Sequence, residues 1–315
     1  MVLRRRKLRF SRLRWLTARE LRRFVVYTYS RRGVHPLSVA RLVVRDPTVP
    51  AGWSHRSIVF VSDLHFRGHP LEVSWLRGLV RQDAVALLLG GDLQSDYRQD
   101  MLGRWATRFL KELRHLRPDM PVLAVPGNHD TPWVLHRLAR YGVVLLEDTA
   151  VALRSPDGST IGVVGTRDPH KSWPQWSQIQ SALRAHEGID FWVLLAHSPD
   201  VLLHLQDRAD VRLVLVGHTH GGQVCLSPGR PLWHNTRVHR PFASGLAIYH
   251  RSWVYTTRGL GYTLAPLRVW CPPEVAVVRF VQDSVRSVQW VEDWYLVGPT
   301  DLRSIAAWER GVYYM

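Results

Sequence analysis

Short apolar runs that end in polar side chains recur along this chain and constrain its fold more than any other feature. The last such run covers residues 213–216 and leads directly into Gly217, His218 and His220. Consecutive apolar, β-favouring residues bounded by glycine predict a buried strand. Open α/β sheets bind small molecules and ions beyond the carboxyl ends of their strands. The two histidines are therefore candidate metal-binding residues.

Earlier runs of the same kind cover residues 58–61, 84–89, 122–125 and 191–195, and each predicts a strand. Side chains that can bind a metal follow them, namely Asp63, His65, Asp92, Asn128, His129 and His197. A single residue of this type after a strand is more often a helix cap, a turn residue or a core histidine. Their repetition at successive strand ends predicts a shared metal cluster.

The residue types of this cluster suit two cations. Carboxylate oxygens are hard donors that can bridge two ions, and imidazole nitrogens suit Mn, Fe, Zn or Co. The candidate ligands contain no sulfur, which argues against a structural zinc site. Cys225 and Cys271 lack metal-binding spacing, and we expect them to be reduced core residues.

The order of the predicted elements indicates an α/β fold. Helical periodicity predicts helices that begin at Pro70 and Pro132, and others over residues 100–117 and 174–186. Short strands dominate after residue 142. Strand–helix alternation followed by a strand-rich half predicts two facing sheets with helices outside them.

The net charge of +16 is concentrated in residues 1–45, which hold 14 of the 42 Lys and Arg residues and a single acid. Apolar residues recur among these arginines at helical spacing, namely Leu13, Leu16, Leu21, Phe24 and Val25. This pattern predicts a basic amphipathic helix that ends at Gly33 and contacts an anionic membrane surface through residues 1–30. A basic helix packed on its own domain and a nucleic-acid-binding tail are the alternatives.

These patterns divide the chain into four predicted parts. Residues 1–45 are the basic amphipathic segment, 46–57 a linker rich in proline and glycine, 58–295 the main domain and 296–315 a tail. The main domain is nearly neutral, so we do not expect it to contain a basic groove for nucleic acid. No apolar run reaches the ~18 residues that a membrane-spanning helix needs.

The order of the motifs, D-x-H, G-D, G-N-H-D, H and G-H-x-H, closely resembles the calcineurin-like metallophosphoesterases over residues 63–223. The resemblance implies a four-layer α/β/β/α sandwich with two facing mixed sheets. It also implies two divalent metal ions, with Mn favoured and Fe, Zn or Co as alternatives. The ligands that it implies are Asp63, His65 and His220 for one ion, Asn128, His197 and His218 for the other, and Asp92 for both.

The resemblance further implies hydrolysis of a phosphoester. Two ions about 3.5–4 Å apart activate a water that attacks phosphorus in line and stabilise the developing charge. His129 is then expected to protonate the leaving oxygen or to stabilise the transition state. Asp130 is expected to orient the imidazole of His129, unless it caps the helix that begins at Pro132.

The later segments 257–261, 266–268 and 271–275 are similar to a bacterial branch of membrane-associated phosphodiesterases. That branch includes enzymes that cleave the pyrophosphate of UDP-2,3-diacylglucosamine in lipid A synthesis. Plain turn formation by Gly and Pro is the alternative explanation of these segments. Arg258 and Arg268 are candidate ligands of the substrate phosphate.

The expected substrate is therefore a phosphate-containing small molecule or lipid with a phosphodiester or pyrophosphate bond. Many relatives in the branch begin with a membrane span or an export signal, whereas this chain begins with the basic segment. We therefore expect a cytoplasmic protein, peripheral on the inner membrane. A nuclease or cyclic-nucleotide phosphodiesterase, and a catalytically silent scaffold, are the alternatives, and the oligomeric state stays open.

Overall fold

The structure is a computed structural model that describes residues 9–13, 18–28, 35–67, 73, 75–80, 84–94, 99–205, 211–297 and 302–315. The α-helices within these residues are α1 (Ala18–Val25), α2 (Leu76–Leu79), α3 (Gln99–Leu116), α4 (Pro132–Ala139) and α5 (Trp176–Arg184). The strands of the first half are β1 (Arg9–Leu13), β2 (Val26–Thr28), β3 (His35–Asp46), β4 (Ser57–Val61), β5 (Ala84–Leu89), β6 (Val122–Ala124), β7 (Val143–Leu145) and β8 (Thr149–Arg154). Those of the second half are β9 (Thr160–Gly165), β10 (Trp192–Leu195), β11 (Val211–Val216), β12 (Cys225–Ser227), β13 (Arg230–Pro231), β14 (Gly245–Tyr249), β15 (Ser252–Thr256), β16 (Leu267–Val269), β17 (Glu274–Gln282), β18 (Ser287–Val297) and β19 (Leu302–Tyr314).

Two large mixed sheets are formed by the described strands. The larger sheet has the order β1-β19-β18-β3-β17-β4-β5-β6-β7, and the smaller has the order β14-β15-β11-β10-β9-β8. Each sheet combines parallel and antiparallel neighbours: β4–β5 and β10–β11 are parallel, whereas β17–β4 and β8–β9 are antiparallel. Strands β14 and β15 are antiparallel neighbours, in agreement with the short strands that the sequence predicts after residue 142.

The core lies between and outside the two sheets, and β4 illustrates how. Successive side chains of a strand point to opposite faces. Ile58 and Phe60 therefore pack in the core between the sheets, whereas Val59 and Val61 pack against α2, α3 and α4 on the outer face. On the outer face of the smaller sheet, α5 buries Ile179. The layers are α/β/β/α, which confirms the predicted four-layer sandwich.

Parallel pairing brings the polar strand ends together. Strands β4, β5 and β6 are parallel neighbours in the larger sheet, and β10 and β11 are parallel neighbours in the smaller one. The loops after β5 and β10 meet across the two sheets, where His197 Nδ1 lies 2.8 Å from the Gly90 carbonyl oxygen. The carboxyl ends of these strands therefore lie at one shared edge of the sandwich.

The segment before residue 46 differs from the predicted organisation. Residues 35–46 form β3, an interior strand of the larger sheet that pairs in parallel with β17 and antiparallel with β18. Its basic residues fit in the sheet because they find acidic partners, as Arg41 does with Asp293 of β18. The folded domain therefore begins before residue 46, and the predicted limit between 45 and 46 needs correction.

The predicted linker and tail also belong to the sheet region. Residues 46–57 include a loop that connects β3 and β4, and its Trp53 is fully buried against Phe280 with ring centroids 5.7 Å apart. Residues 302–314, which the sequence places in a tail, form β19 and pair with β18. Both segments are therefore parts of the folded domain, because their backbones and side chains complete its larger sheet and core.

The predicted amphipathic helix is shorter than expected. Leu13 belongs to β1, which pairs with β19, and α1 runs directly into β2. Leu16 and Gly33 lie outside the described residues. Phe24 is 1% exposed and stacks on Trp294 with ring centroids 4.2 Å apart, so at this residue the apolar side of α1 packs on its own domain. Among the helices described here, none is both long and apolar enough to cross a membrane.

Candidate metal centre

The loops after β4, β5, β6, β10 and β11 carry the candidate ligands to the shared edge. Several of these residues have a left-handed backbone, with φ between 44° and 69°, and they are Asp63, His65, Asp92, His218 and His220. Residues other than glycine rarely adopt this conformation, which costs about 1–3 kcal/mol each and persists where the surrounding structure enforces it. Such a concentration of strained residues is typical of a functional site.

Gly127 allows the loops after β5 and β6 to approach each other. A Cβ atom at Gly127 would lie 2.3 Å from both the backbone nitrogen and Oδ1 of Asp92. The backbone N–H of His129 donates to the same Oδ1 at 2.8 Å. The loop after β6 thus holds Oδ1 of Asp92. The other oxygen of Asp92, Oδ2, lies near His65 and His197.

Asp63, His65 and His220 form the first group of candidate ligands. Their ligand atoms lie within 4.8 Å of one another and all three residues are buried. His65 Nε2 lies 3.2 Å from His220 Nε2, which lies 3.5 Å from Asp63 Oδ1. The structure therefore brings together the three residues that the resemblance assigns to one ion.

Asp92, His197 and His218 form the second group, again with ligand atoms within 4.8 Å of one another. His197 Nε2 lies 3.1 Å from His218 Nδ1. It also lies 2.9 Å from Asn128 Oδ1, so the predicted amide ligand faces the same point. All the residues that the resemblance assigns to the second ion are thus adjacent.

Asp92 belongs to the second group and also lies close to the first. Its Oδ2 is 3.6 Å from His65 Nε2 in the first group and 3.4 Å from His197 Nε2 in the second. A carboxylate in this position can contact two cations at once, as dinuclear sites require. This is the position that the resemblance implies for Asp92.

Backbone carbonyls fix the rings of three of these histidines. The contacts are His65 Nδ1 to Gln94 O at 2.9 Å, His197 Nδ1 to Gly90 O at 2.8 Å, and His218 Nε2 to Asn235 O at 3.2 Å. In each case the ring N–H donates to the carbonyl, so the other nitrogen presents its lone pair to the centre. This is the usual arrangement of histidines that bind metals.

The buried charges perturb one another strongly. Burial raises the pKa of Asp63 to about 7, with His197 opposing the rise and Asp92 adding to it. Burial lowers the pKa of His197, but Asp92 and Asp63 outweigh it and raise that pKa to about 10. Burial lowers the pKa of His65 to about 4 and depresses that of His220 as well. The centre thus combines carboxylates with buried imidazoles, of which His65 and His220 favour the neutral form.

This donor set fits two divalent cations. His65 donates its Nδ1–H to Gln94, so its Nε2 lone pair faces His220 Nε2 at 3.2 Å. A cation at this point can accept the lone pair of His65 Nε2, and it balances the buried carboxylates as well. Carboxylate, amide and imidazole donors without sulfur suit Mn, Fe, Zn or Co.

His129 lies at the open side of the centre. Its side chain is exposed, and its ring centroid is 5.2 Å from that of His65. Its backbone N–H is the group that holds Asp92 Oδ1. The imidazole is therefore close to the candidate ligands and accessible to a ligand from solvent.

Asp130 does not have the predicted position. Its Oδ1 accepts the backbone N–H groups of Leu93 and Gln94, and its Oδ2 accepts that of Gly127. Both oxygens therefore join the loops after β5 and β6, and no hydrogen bond from the His129 ring is among these contacts. Nor does the carboxylate cap α4, which has no side-chain cap. Asp130 is a buried loop residue, and burial raises its pKa to about 6.

Arg258 also departs from its predicted role in binding phosphate. The residue is 7% exposed, and its guanidinium forms ion pairs with Glu274 at 2.5 Å and Glu292 at 2.8 Å. It donates to Ser38 Oγ at 2.8 Å as well. The charge of Arg258 is therefore balanced inside the protein, between β3, β17 and β18.

Arg268 is even more buried, at 1% exposure. Its guanidinium donates to the carbonyls of Gly261 at 2.6 Å, Arg258 at 2.8 Å and Gly259 at 3.2 Å. It also contacts the carbonyl oxygen and Nδ1 of His220, both at 3.3 Å. Arg268 therefore joins the loop that carries His220 to the loop at residues 258–261 through buried hydrogen bonds. This position corrects its predicted role as a phosphate ligand.

Other residues at the centre were not identified from the sequence. Gln94 orients His65 through its carbonyl, and Asn235 orients His218 in the same way. His170 packs on His218 with ring centroids 4.2 Å apart. Gln94 and Asn235 act through backbone carbonyls, which every residue has, and His170 follows no strand end directly. No sequence signal could therefore have singled them out.

Comparisons with known proteins agree with this geometry. A family profile described as calcineurin-like phosphoesterase matches residues 56–222, more than half of the chain. Phosphodiesterase YaeI of Escherichia coli is 31% identical over 242 residues, which cover 71% of this chain and 82% of that protein. An uncharacterized metallophosphoesterase of Helicobacter pylori (strain J99) is 26% identical over 235 residues, 71% of this chain but only 59% of that protein.

Among solved structures, the calcineurin-like phosphoesterase YfkN from Bacillus subtilis aligns with a TM-score of 0.33 and 11% identity, covering 89% of this chain and 91% of that one. The family assignment depends instead on the sequence profile and on the relative in Escherichia coli. This chain belongs to the calcineurin-like phosphoesterase family.

Proposed function

We propose that this protein is a divalent-metal-dependent phosphoesterase that hydrolyses a phosphodiester or pyrophosphate bond. The observation that carries the proposal is the position of Asp92, whose Oδ2 lies within 3.6 Å of ring nitrogens from both ligand groups. Membership of the calcineurin-like phosphoesterase family supports the same chemistry.

The ligands would divide as the resemblance implies, with Asp63, His65 and His220 for one ion, Asn128, His197 and His218 for the other, and Asp92 for both. When bound, two divalent ions supply Lewis-acid activation of water and neutralise phosphoryl charge. We propose Mn²⁺ as the native metal, with Fe, Zn or Co as alternatives. The carbonyls that accept the ring N–H groups keep the other ring nitrogens available to the ions.

His129 is the proposed general acid. Its ring is exposed beside His65, so it can reach a substrate bound at the centre without itself being a ligand. A proton donated to the leaving oxygen lowers the barrier of phosphoester cleavage. Because its backbone N–H holds Asp92, its position is tied to the metal centre.

We propose a lipid-linked or sugar-nucleotide substrate such as UDP-2,3-diacylglucosamine, with the protein peripheral on the cytoplasmic face of the inner membrane. The similarity of residues 257–275 to membrane-associated phosphodiesterases supports this substrate class. A nuclease or cyclic-nucleotide phosphodiesterase is the alternative, and the near-neutral charge outside residues 1–45 does not favour a long nucleic acid. A silent scaffold is a further alternative, although every motif position is filled.

The testing experiment measures hydrolysis of UDP-2,3-diacylglucosamine and of a soluble aryl phosphodiester with Mn²⁺, for the wild type and Asp92→Ala. Metal-dependent release of UMP that the variant loses would support the lipid A pathway substrate. Activity on the aryl ester alone would support the metal chemistry and reject this substrate. An inactive wild-type protein with bound metal would favour the scaffold.

The His129→Ala variant separates catalysis from metal binding. We expect it to bind metal as the wild type does, because the His129 ring is not a proposed ligand. We expect turnover to fall by roughly 10²–10⁴-fold, the usual contribution of a general acid. Full activity of His129→Ala would show that this histidine has no role in catalysis, and metal loss would make its role structural.

A further inference from the structure

Large apolar side chains are exposed in one region beside the metal centre. Leu226 is 70% exposed, Leu232 55%, Trp233 68% and Leu264 100%. The first three lie in or just after the β12–β13 hairpin, and Leu264 lies in the loop before β16. Single exposed apolar residues are ordinary, whereas a contiguous group marks an interaction surface.

Backbone pairing connects the segments that carry these exposed residues. Strand β16 pairs with β2 so that Val269 lies opposite Val26, which is 52% exposed. Val269 also pairs with Val224, whose carbonyl accepts the N–H of Leu232 at 3.1 Å. Paired residues of neighbouring strands project to the same face. The three valines therefore form an apolar row that leads to Leu232.

Leu264 is held outward by its neighbours. The Gln223 side chain donates to the carbonyls of Thr263 at 3.0 Å and Ala265 at 3.1 Å, and it accepts the Thr263 N–H at 2.9 Å. Leu264, between them, has a φ of 57°. A fully exposed leucine in this strained conformation has no internal packing to compensate its cost, which indicates an external partner.

A basic groove adjoins the β2 end of the apolar row. Arg19, Arg22 and Arg23 line this groove together with Val25 and Val26. Arg19 and Arg22 are exposed. Guanidinium groups bind phosphate in a bidentate manner, and the adjacent valines suit the apolar region beneath a lipid headgroup.

The segments that carry the exposed apolar residues also contact the metal centre. Asn235, two residues after Trp233, accepts from His218 Nε2 at 3.2 Å and donates to the His218 carbonyl at 3.4 Å. Gln223, which holds the Leu264 loop, donates its backbone N–H to the His220 carbonyl at 3.0 Å. Apolar residues and candidate ligands are therefore only a few residues apart on both segments.

We propose that an anionic phospholipid bilayer is the partner of this surface, the lipid-docking face, defined by Arg19, Arg22, Leu226, Leu232, Trp233 and Leu264. Arginines beside exposed aliphatic side chains and a tryptophan match the charged headgroups and the interface of such a bilayer. The sequence predicts membrane contact through the apolar side of a basic helix that includes Phe24, but Phe24 is buried against Trp294. Docking through this face presents the metal centre to lipid-linked substrates, and that consequence rests on the proposed function.

The test is co-sedimentation of the full chain with phosphatidylcholine vesicles, with and without phosphatidylglycerol. We expect binding to the anionic vesicles, weakened at least about tenfold by Leu232→Ser/Trp233→Ser/Leu264→Ser and by Arg19→Gln/Arg22→Gln. The matched controls, Trp133→Ser/Leu203→Ser and Arg140→Gln/Arg184→Gln, change exposed residues elsewhere and should bind as the wild type does. Thermal unfolding and Mn²⁺ content show that each variant is folded.

Several outcomes would overturn the proposal. They are an absence of vesicle binding by the wild type, and an equal loss of binding in the docking and control variants. A third is a soluble dimer of the 36.3 kDa chain that the docking variants dissociate, which would assign the face to a second copy. Hydrolysis of the soluble aryl phosphodiester without vesicles tests the proposed function separately. If the protein binds vesicles but is inactive, the result would support the lipid-docking face and contradict only the proposed enzymatic function.

Discussion

Arg268 shows how a buried side chain supports the metal centre at the scale of single residues. One guanidinium contacts the carbonyl and Nδ1 of His220 and also the carbonyls of residues 258, 259 and 261. A planar group with five N–H donors can make these contacts at once, whereas the single ammonium of lysine cannot. The position therefore depends on the shape of the group as well as on its charge.

We expect Arg268→Lys to weaken Mn²⁺ binding by roughly 10–100-fold, the usual effect of losing a group that orients a metal ligand. The KM for a phosphodiester at saturating Mn²⁺ should stay close to the wild-type value, because the side chain is 1% exposed. Calorimetric titration with Mn²⁺ and steady-state kinetics check the two expectations. A raised KM with unchanged Mn²⁺ affinity would instead indicate that Arg268 binds the substrate phosphate.

Gly259 provides a second prediction at this scale. Its φ is +67°, and a Cβ atom there would lie 2.7 Å from the Cβ of Asp63. Gly259→Ala should therefore displace Asp63 and reduce both Mn²⁺ content and turnover. Gly188→Ala is the matched control, since Gly188 has a φ of +82° but no atom within 4 Å of the added Cβ. The control should lose about 1 kcal/mol of stability and keep its metal, and equal metal loss in both variants would contradict the steric argument.

The residue types of the centre were predictable, but the partners of the charged residues were not. The seven candidate ligands follow strand ends, so a local pattern reveals them. Arg258 has the chemistry of a phosphate ligand, yet its partner Ser38 is 220 positions away in the chain. Asp130 likewise binds backbone N–H groups 36 and 37 positions away. A sequence pattern contains no information on such distant pairs.

At the scale of elements, the pairs of Arg258 join strands from both ends of the chain. Glu292 of β18 accepts from Arg258 Nη2 and from Ser38 Oγ of β3, at 2.8 and 2.7 Å. Glu274 of β17 accepts from Tyr255 OH at 2.7 Å. The Glu274 and Glu292 carboxylates outweigh the effect of burial on Arg258 and raise its pKa well above the usual value. The network therefore stays charged and links three strands of the larger sheet to the loop after β15.

Arg258→Met should lower the free energy of unfolding by about 3–5 kcal/mol, because it leaves two buried carboxylates without their cation. Arg41→Met is the matched control in the same sheet, since the Arg41 side chain is 40% exposed and its pair with Asp293 contributes at most about 1 kcal/mol. Urea denaturation of both variants measures the difference. Equal, small losses for the two would show that the Arg258 network contributes little to stability.

Strand β3 is an element that the sequence analysis did not predict, because its charges conceal its apolar residues. Its arginines at positions 41 and 45 resemble a continuation of the basic N-terminal segment. In the structure they are half-buried, while Leu42 and Val44 between and beside them are fully buried. The apolar run over residues 42–44 is a strand signal in the sequence, but the charges on either side of it favoured the wrong interpretation. Strands β4, β5, β6, β10 and β11 were predicted more closely because their apolar runs carry few charges.

At the scale of the whole molecule, the position of β3 makes the N-terminal region part of the fold. The strand lies between β17 and β18, so its removal leaves each of these two strands without a partner on one side. It also removes Leu37 and Val39 from the outer core and Leu42 and Val44 from the core between the sheets. Burial of four such side chains contributes roughly 6–12 kcal/mol, which is comparable to the whole stability of a typical domain.

We therefore expect a chain that lacks residues 1–46 to be insoluble or to unfold without a cooperative transition, although the sequence places the main domain at 58–295. A chain that lacks residues 1–17 is the matched control, because among the described strands it removes only β1, at the edge of the larger sheet. This shorter deletion should keep a cooperative transition and bound Mn²⁺. Calorimetric unfolding and metal analysis of both proteins distinguish the cases. A folded, metal-binding chain without residues 1–46 would show that β3 is dispensable and restore the predicted domain limit.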